Sequence, residues 1–177
     1  MRKFEGSLSK PTNIAVELET NSIFILDEAE HCVKKFKSNG TLTTTIGKQV
    51  NANLISSNHQ GNLPGEFDFT GDHSMALTKT ELIVSHKDQI QCFNLKGEIS
   101  RQFWTDKSTL SCAADNLELI YTLTLDSIDI YETFGSKMKS LSLSNKLDSV
   151  NKQFLHIFTL RTQLLFVLLL AKTETYL

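Results

Sequence analysis

Apolar residues fall in short runs separated by polar turns, and the clearest set of runs lies in residues 11–47. Ile14-Ala15-Val16 follows Pro11, and proline is tolerated where a strand begins because no ladder donor is needed there. A polar stretch leads to Ile23-Phe24-Ile25-Leu26, a continuous run of the kind buried on both faces of a sheet. After the charged turn 27–30, Val33 and Phe36 mark a third strand. Ser38-Asn39-Gly40 reads as a turn, with Asn-Gly supplying the two positive-φ positions of a type I′ hairpin. Leu42–Ile46 alternates with threonine, as in a half-buried outer strand, and Gly47 ends it. Four short antiparallel strands in about 40 residues make one propeller blade.

The pattern recurs. In residues 67–104 the runs are Met75-Ala76-Leu77, Leu82-Ile83-Val84, Ile90 with Phe93, a turn at Lys96-Gly97, and 99–103. Phe36 to Phe93, Gly40 to Gly97, Leu42 to Ile99 and Ile46 to Phe103 are each separated by 57 residues. Four matching positions at one spacing are the mark of a stacked repeat. Ser85 stands where the first copy has Asp27, and the turn that follows is one residue shorter. Residues 110–143 keep the apolar skeleton: Cys112-Ala113-Ala114, a strand within 117–124, Ile128, Ile130 and Tyr131, and a turn at Gly135. Phe93 to Tyr131 and Gly97 to Gly135 share a spacing of 38.

A fourth copy over 150–177 is partial. Strands are expected at 154–160 and 164–171, and a third would begin at 172–177. A membrane helix over 154–171 is the competing reading. It is barely long enough, and His156, Arg161 and Gln163 interrupt it, so the strand pair is preferred. The run at 164–170 is an aggregation-prone window with no charge inside it. The expected fold is therefore all-β, a partial, open propeller with blades near 8–47, 67–104, 110–143 and 150–177. Residues 48–64, rich in Asn, Ser, Gln and Gly, read as a flexible insertion between the first two.

The first copy resembles an NHL repeat. The matching residues are Pro11, Ile14, Ala15, Val16, Phe24, Leu26, Asp27, His31, Val33, Phe36, Gly40, Ile46 and Gly47, and Gly65-Glu66-Phe67 resembles the family's linker into the next inner strand. Glu30 and Cys32 depart from the family's usual Asn and Arg at positions expected on the rim. The resemblance implies a propeller of six blades and a non-catalytic scaffold that binds another protein, often within a larger ubiquitin-ligase-like or signalling protein. It also implies that a chain of three and a half blades is part of a larger propeller, an incomplete reading frame, or a unit that self-associates through open blade edges. The ligase's zinc-binding Cys/His clusters are absent from this sequence.

Composition narrows the chemistry. Charged residues make up 21% and apolar residues 40%, as in a soluble globular chain, and the net charge of -2 suggests neither nucleic acid nor an anionic membrane as partner. Residues 1–136 carry 12 Lys/Arg against 18 Asp/Glu; a basic excess is confined to 137–161. No aromatic interleaves it in a stacking pattern, so RNA binding, known among NHL relatives, is the weaker expectation. Cys32, Cys92 and Cys112 form no metal-binding pair and read as free thiols. Residues 1–10 lack the apolar core of a signal peptide, which points to the cytoplasm. Asn39-Gly40-Thr41 fits a glycosylation sequon but is more simply the hairpin turn.

No nucleotide, hydrolase or metal motif is present, and no cofactor is expected. The candidate binding residues on the rim are Asp27, Glu30, His31, Asp72 and His73. The adjacent Asp72 and His73 raise the alternative of a metal-dependent propeller hydrolase or lyase, since a carboxylate beside an imidazole can hold a metal or act as a base. Six-bladed calcium-dependent lactonases place oxygen ligands around the central channel, whereas the inner strands here are apolar or small.

Overall fold

The computed structural model describes residues 8–49, 63–115, 117–143, 155–159 and 165–169, and every regular element among them is a β-strand. Three antiparallel four-stranded meanders follow one another. The first is β1 (Pro11–Val16), β2 (Ile23–Asp27), β3 (Cys32–Phe36) and β4 (Leu42–Ile46). After β5 (Lys48–Gln49) and β6 (Glu66–Phe67), which pair in parallel, comes β7 (His73–Leu77), β8 (Glu81–His86), β9 (Gln89–Asn94) and β10 (Ile99–Trp104). The third is β11 (Ser111–Ala114), β12 (Ile120–Leu123), β13 (Ser127–Tyr131) and β14 (Lys137–Ser142). β15 (Leu155–Thr159) and β16 (Leu165–Leu169) form an antiparallel pair where a membrane helix was the competing reading. The first strands neighbour one another in chain order, β1 beside β7, β7 beside β11, and β11 beside β15. This is a partial, open β-propeller. Most of the predicted insertion, 50–62, and the strand expected at 172–177 lie outside the described residues.

The blades are held together by apolar side chains that alternate between their two faces. In β8, Leu82 and Val84 enter the core shared with the first blade, beside Phe24, Leu26, Val33, Phe67 and Phe93. Ile83 points the other way, into a core shared with the third blade that includes Ile90, Phe103, Ile120 and Tyr131. A strand packed on both sides needs a continuous apolar run, and Leu82-Ile83-Val84 is one. Cys32, Cys92 and Cys112 are free and buried. Burial, which opposes the charged thiolate, pushes Cys32 up to about 11 and Cys92 up to about 12. Cys32 thus lies beneath the rim rather than on it.

The third-to-fourth-strand hairpins differ from the predicted type I′ turn. Asn39 is not at positive φ; only Gly40 is, at 91°. The Gly40 N–H donates to the Lys37 carbonyl and the Lys37 N–H to the Thr41 carbonyl. The pairing slips between Lys35 and Phe36. This is a three-residue loop, a type I turn closed by a left-handed glycine that forms a bulge. Gly97 and Gly135 close identical loops against Asn94 and Glu132, at φ 94° and 88°. The Asn39-Gly40 dipeptide is compatible with both turns, and the loop length decides between them.

Strand register also corrects one alignment. Ile23 pairs with Phe36, and Leu82 pairs with Phe93. Counting along the ladders, the residue that ends the second strand opposite Cys32 is Asp27, and its counterpart opposite Gln89 is His86, not Ser85. The second blade closes this turn with Lys87-Asp88 alone, Lys87 taking φ 53°, so the turn is two residues shorter than 28–31.

Candidate functional site

In a meander the second-to-third-strand turns and the links between blades share one edge, and the remaining turns share the other. The first edge carries all five residues singled out in the sequence. Asp27 is fully buried and accepts hydrogen bonds from the N–H groups of Ser9 and Lys10, at 2.8 and 2.9 Å, and from Lys34 Nζ at 3.1 Å. Burial alone would raise its pKa, but these donors together hold it below the usual carboxylate range. It fastens the incoming segment to the blade. Glu30 is exposed and accepts from Ser9 Oγ at 2.7 Å.

His31 sits at φ 48°, and its Nδ1 accepts the Phe69 N–H at 3.0 Å, fixing the proton of the neutral ring on Nε2. His73 has the opposite tautomer. Its Nδ1 lies 2.7 Å from the Gly71 carbonyl and must donate, which leaves Nε2 to accept from Thr12 Oγ1 at 3.0 Å. Glu28 Oε2 lies 4.0 Å from that Nε2. Asp72 is exposed and turns to Ser108 Oγ at 3.4 Å. Asp72 and His73 are neighbours in sequence but engage different blades.

No local pattern in the chain announces that three histidines gather around one phenylalanine. His31 stacks on Phe69 with ring centroids 5.9 Å apart, His73 lies tilted at 5.0 Å, and His86 meets it edge-on at 6.2 Å. Phe67 stacks on the same ring at 5.0 Å. Beneath them Gln91 ties the blades' linker down, donating to the Glu66 carbonyl and accepting the Gly65 N–H, both at 2.8 Å, with His86 Nε2 at 3.3 Å. Asp68 is buried but is held down to about 2 by Lys87 Nζ at 2.5 Å and by the Thr70 hydroxyl and N–H. Among the described residues no three His, Cys, Asp or Glu side chains converge to hold a metal ion. The start of the basic segment is also spoken for, since Lys137 Nζ lies 2.8 Å from Asp129 and 3.0 Å from Asp106.

His86 makes the edge acid-sensitive. Burial pushes its imidazole down to about 4 from an ordinary value of 6.5. The unfolded chain then binds a proton that the folded chain refuses as pH falls from 6.5 towards 4. The contribution is complete above 6.5 and is lost across that window, about 3 kcal/mol in total. Asp27 and Asp68, both lowered, lose their contributions below the ordinary carboxylate range and so separate from it. Denaturation midpoints of the native chain should fall between pH 7 and 5, and His86→Gln should flatten that slope. An equal slope in both proteins would assign the sensitivity elsewhere.

No protein-family model matches this chain, and no curated protein is similar to it in sequence. Solved structures do resemble it in fold. Hydrazine synthase from Kuenenia stuttgartiensis superimposes with a TM-score of 0.58 at 14% identity, over 79% of this chain and 38% of that one. Virginiamycin B lyase from Staphylococcus aureus does so with a TM-score of 0.54 at 11% identity, over 77% of this chain and 42% of the lyase. Both are propeller-like, and this chain spans about two-fifths of their length. At such identity the likeness is one of fold. Among the described residues no helix is long and apolar enough to cross a membrane.

Proposed function

We propose that this chain is a non-catalytic, NHL-type binding module whose partner is another protein, engaged through the edge that bears Glu30, His31, Asp72 and His73. One observation carries the reading. Asp27, His31 and His73 are spent on the protein's own backbone and neighbouring turns, while Glu30 and Asp72, each accepting from one serine hydroxyl, stay exposed beside them. A catalytic edge would direct an acid and a base at a common point. Here Asp72 and His73 diverge, which weighs against a hydrolase or lyase centred on them. The repeated hairpins and the matched residues of the first blade support the NHL assignment within the propeller class.

Crosslinking in cells with mass-spectrometric identification tests the proposal. The doubly reversed variant Glu30→Lys/Asp72→Lys should melt like the parent and lose the partner that the parent captures. Lys139→Glu, on β14, should retain it. Capture undiminished by the double reversal, or a substrate turned over by the parent and not by the variant, would overturn the reading.

A further inference from the structure

The opposite edge of the first two blades holds a cleft of about 540 Å³, walled by the β1–β2 turn and by the hairpins that follow β3 and β9. Lys35, Lys37 and Lys96 line it together with hydroxyls, among them those of Thr20, Ser22 and Thr44, and no carboxylate does. Lys35 is fixed at the base. Its ammonium lies 5.1 Å from the centroid of the Phe24 ring, donates to the Leu95 carbonyl at 2.8 Å, and has Glu17 behind it at 4.0 Å. Lys37 and Lys96 are exposed on the two hairpins, and no ion pair among the described residues includes them.

The repeat itself shows that this lining is not a requirement of the fold. Fifty-seven residues later, Lys35, Lys37 and Thr44 become Cys92, Asn94 and Arg101. Cys92 is buried, Asn94 binds Glu98, and Arg101 pairs with Glu81. The second blade thus answers its own charges, and the first leaves two lysines facing an open cleft.

We propose that the cleft binds a phosphorylated sugar. Two uncompensated ammonium groups match the charge of a phosphomonoester, and lysine offers each phosphate oxygen a compact donor. Ser38 and Thr44 offer hydroxyls that both donate and accept, as sugar hydroxyls require. Thr20 Oγ1 donates to Glu17, whereas Ser22 gives its proton to Thr20 and can only accept. The volume falls within the range of small-molecule sites. This site lies on the edge away from the proposed protein-binding residues and stands independently of them.

The test is an NMR titration of the full chain with glucose 6-phosphate, glucose and inorganic phosphate. Glucose 6-phosphate should shift the Thr20, Thr44 and Lys96 amides saturably, about tenfold or more tightly than either half alone. Added salt should weaken it. Lys37→Gln/Lys96→Gln should weaken it by at least about tenfold with melting unchanged. Absence of saturation, glucose or phosphate binding as tightly as the ester, or an unaffected double variant would each overturn the proposal.

Discussion

Phe93→Ala is expected to destabilise the protein by about 3–5 kcal/mol. Phe93 is 2% exposed, lies edge-on to Phe67 at 5.6 Å, and belongs to the core that joins the first two blades. Phe67 in turn stacks on Phe69, so the lost ring is one of a connected series. The surrounding strands are pinned by their ladders and cannot collapse into the space. The loss therefore combines transfer of the ring to water with a lasting cavity. Urea titration should show a lower midpoint at an unchanged slope. Phe93→Leu, which refills most of the volume, should recover much of the difference. A midpoint unmoved by alanine would mean that the two blades do not share this core.

Gly135→Ala is expected to cost about 3 kcal/mol, from two sources. At φ 88° any side chain meets its own backbone, a penalty of about 1–2 kcal/mol. A Cβ there would also stand 2.5 Å from Phe103 Cγ, and that ring already packs against Tyr131 at 5.5 Å. Displacing it adds about 1–3 kcal/mol of overpacking. Gly65 separates the two sources, since it has φ 80° and nothing within 4 Å of the Cβ position. Gly65→Ala should cost only the backbone share. If chemical denaturation found the two substitutions equal, the third blade would not approach the second as closely as described.

The parts of this fold legible in the sequence are those that a local pattern dictates. Runs such as Ile23-Phe24-Ile25-Leu26 and Leu82-Ile83-Val84 became strands buried on both faces because they are short, rich in β-branched and aromatic residues, and bounded by polar turns. The constant spacing from Phe36 to Phe93 marked equivalent buried positions, and both side chains are buried. What escaped depends on register and on distant partners. Aligning apolar runs matched Asp27 with Ser85, whereas the ladders match it with His86, because a turn can lose two residues without disturbing hydrophobic spacing. The gathering of His31, His73 and His86 around Phe69 joins a turn, two strand ends and a linker, and no short-range pattern links them. The lysine cleft likewise draws on three separate loops.

The central claim is that successive blades repeat one mode of packing, and a single NMR experiment addresses it. The glycine closing one blade's outer hairpin lies on the last buried apolar residue of the preceding blade's outer strand. A Cβ at Gly97 would be 2.8 Å from Ile46 Cγ1, and one at Gly135 2.5 Å from Phe103 Cγ. Glycine Hα protons occupy those positions. A nuclear Overhauser spectrum of the full chain should show cross-peaks from Gly97 Hα to the Ile46 side chain and from Gly135 Hα to the Phe103 ring. Both together are the result expected of stacked equivalent blades; either one missing in a well-folded sample would contradict it.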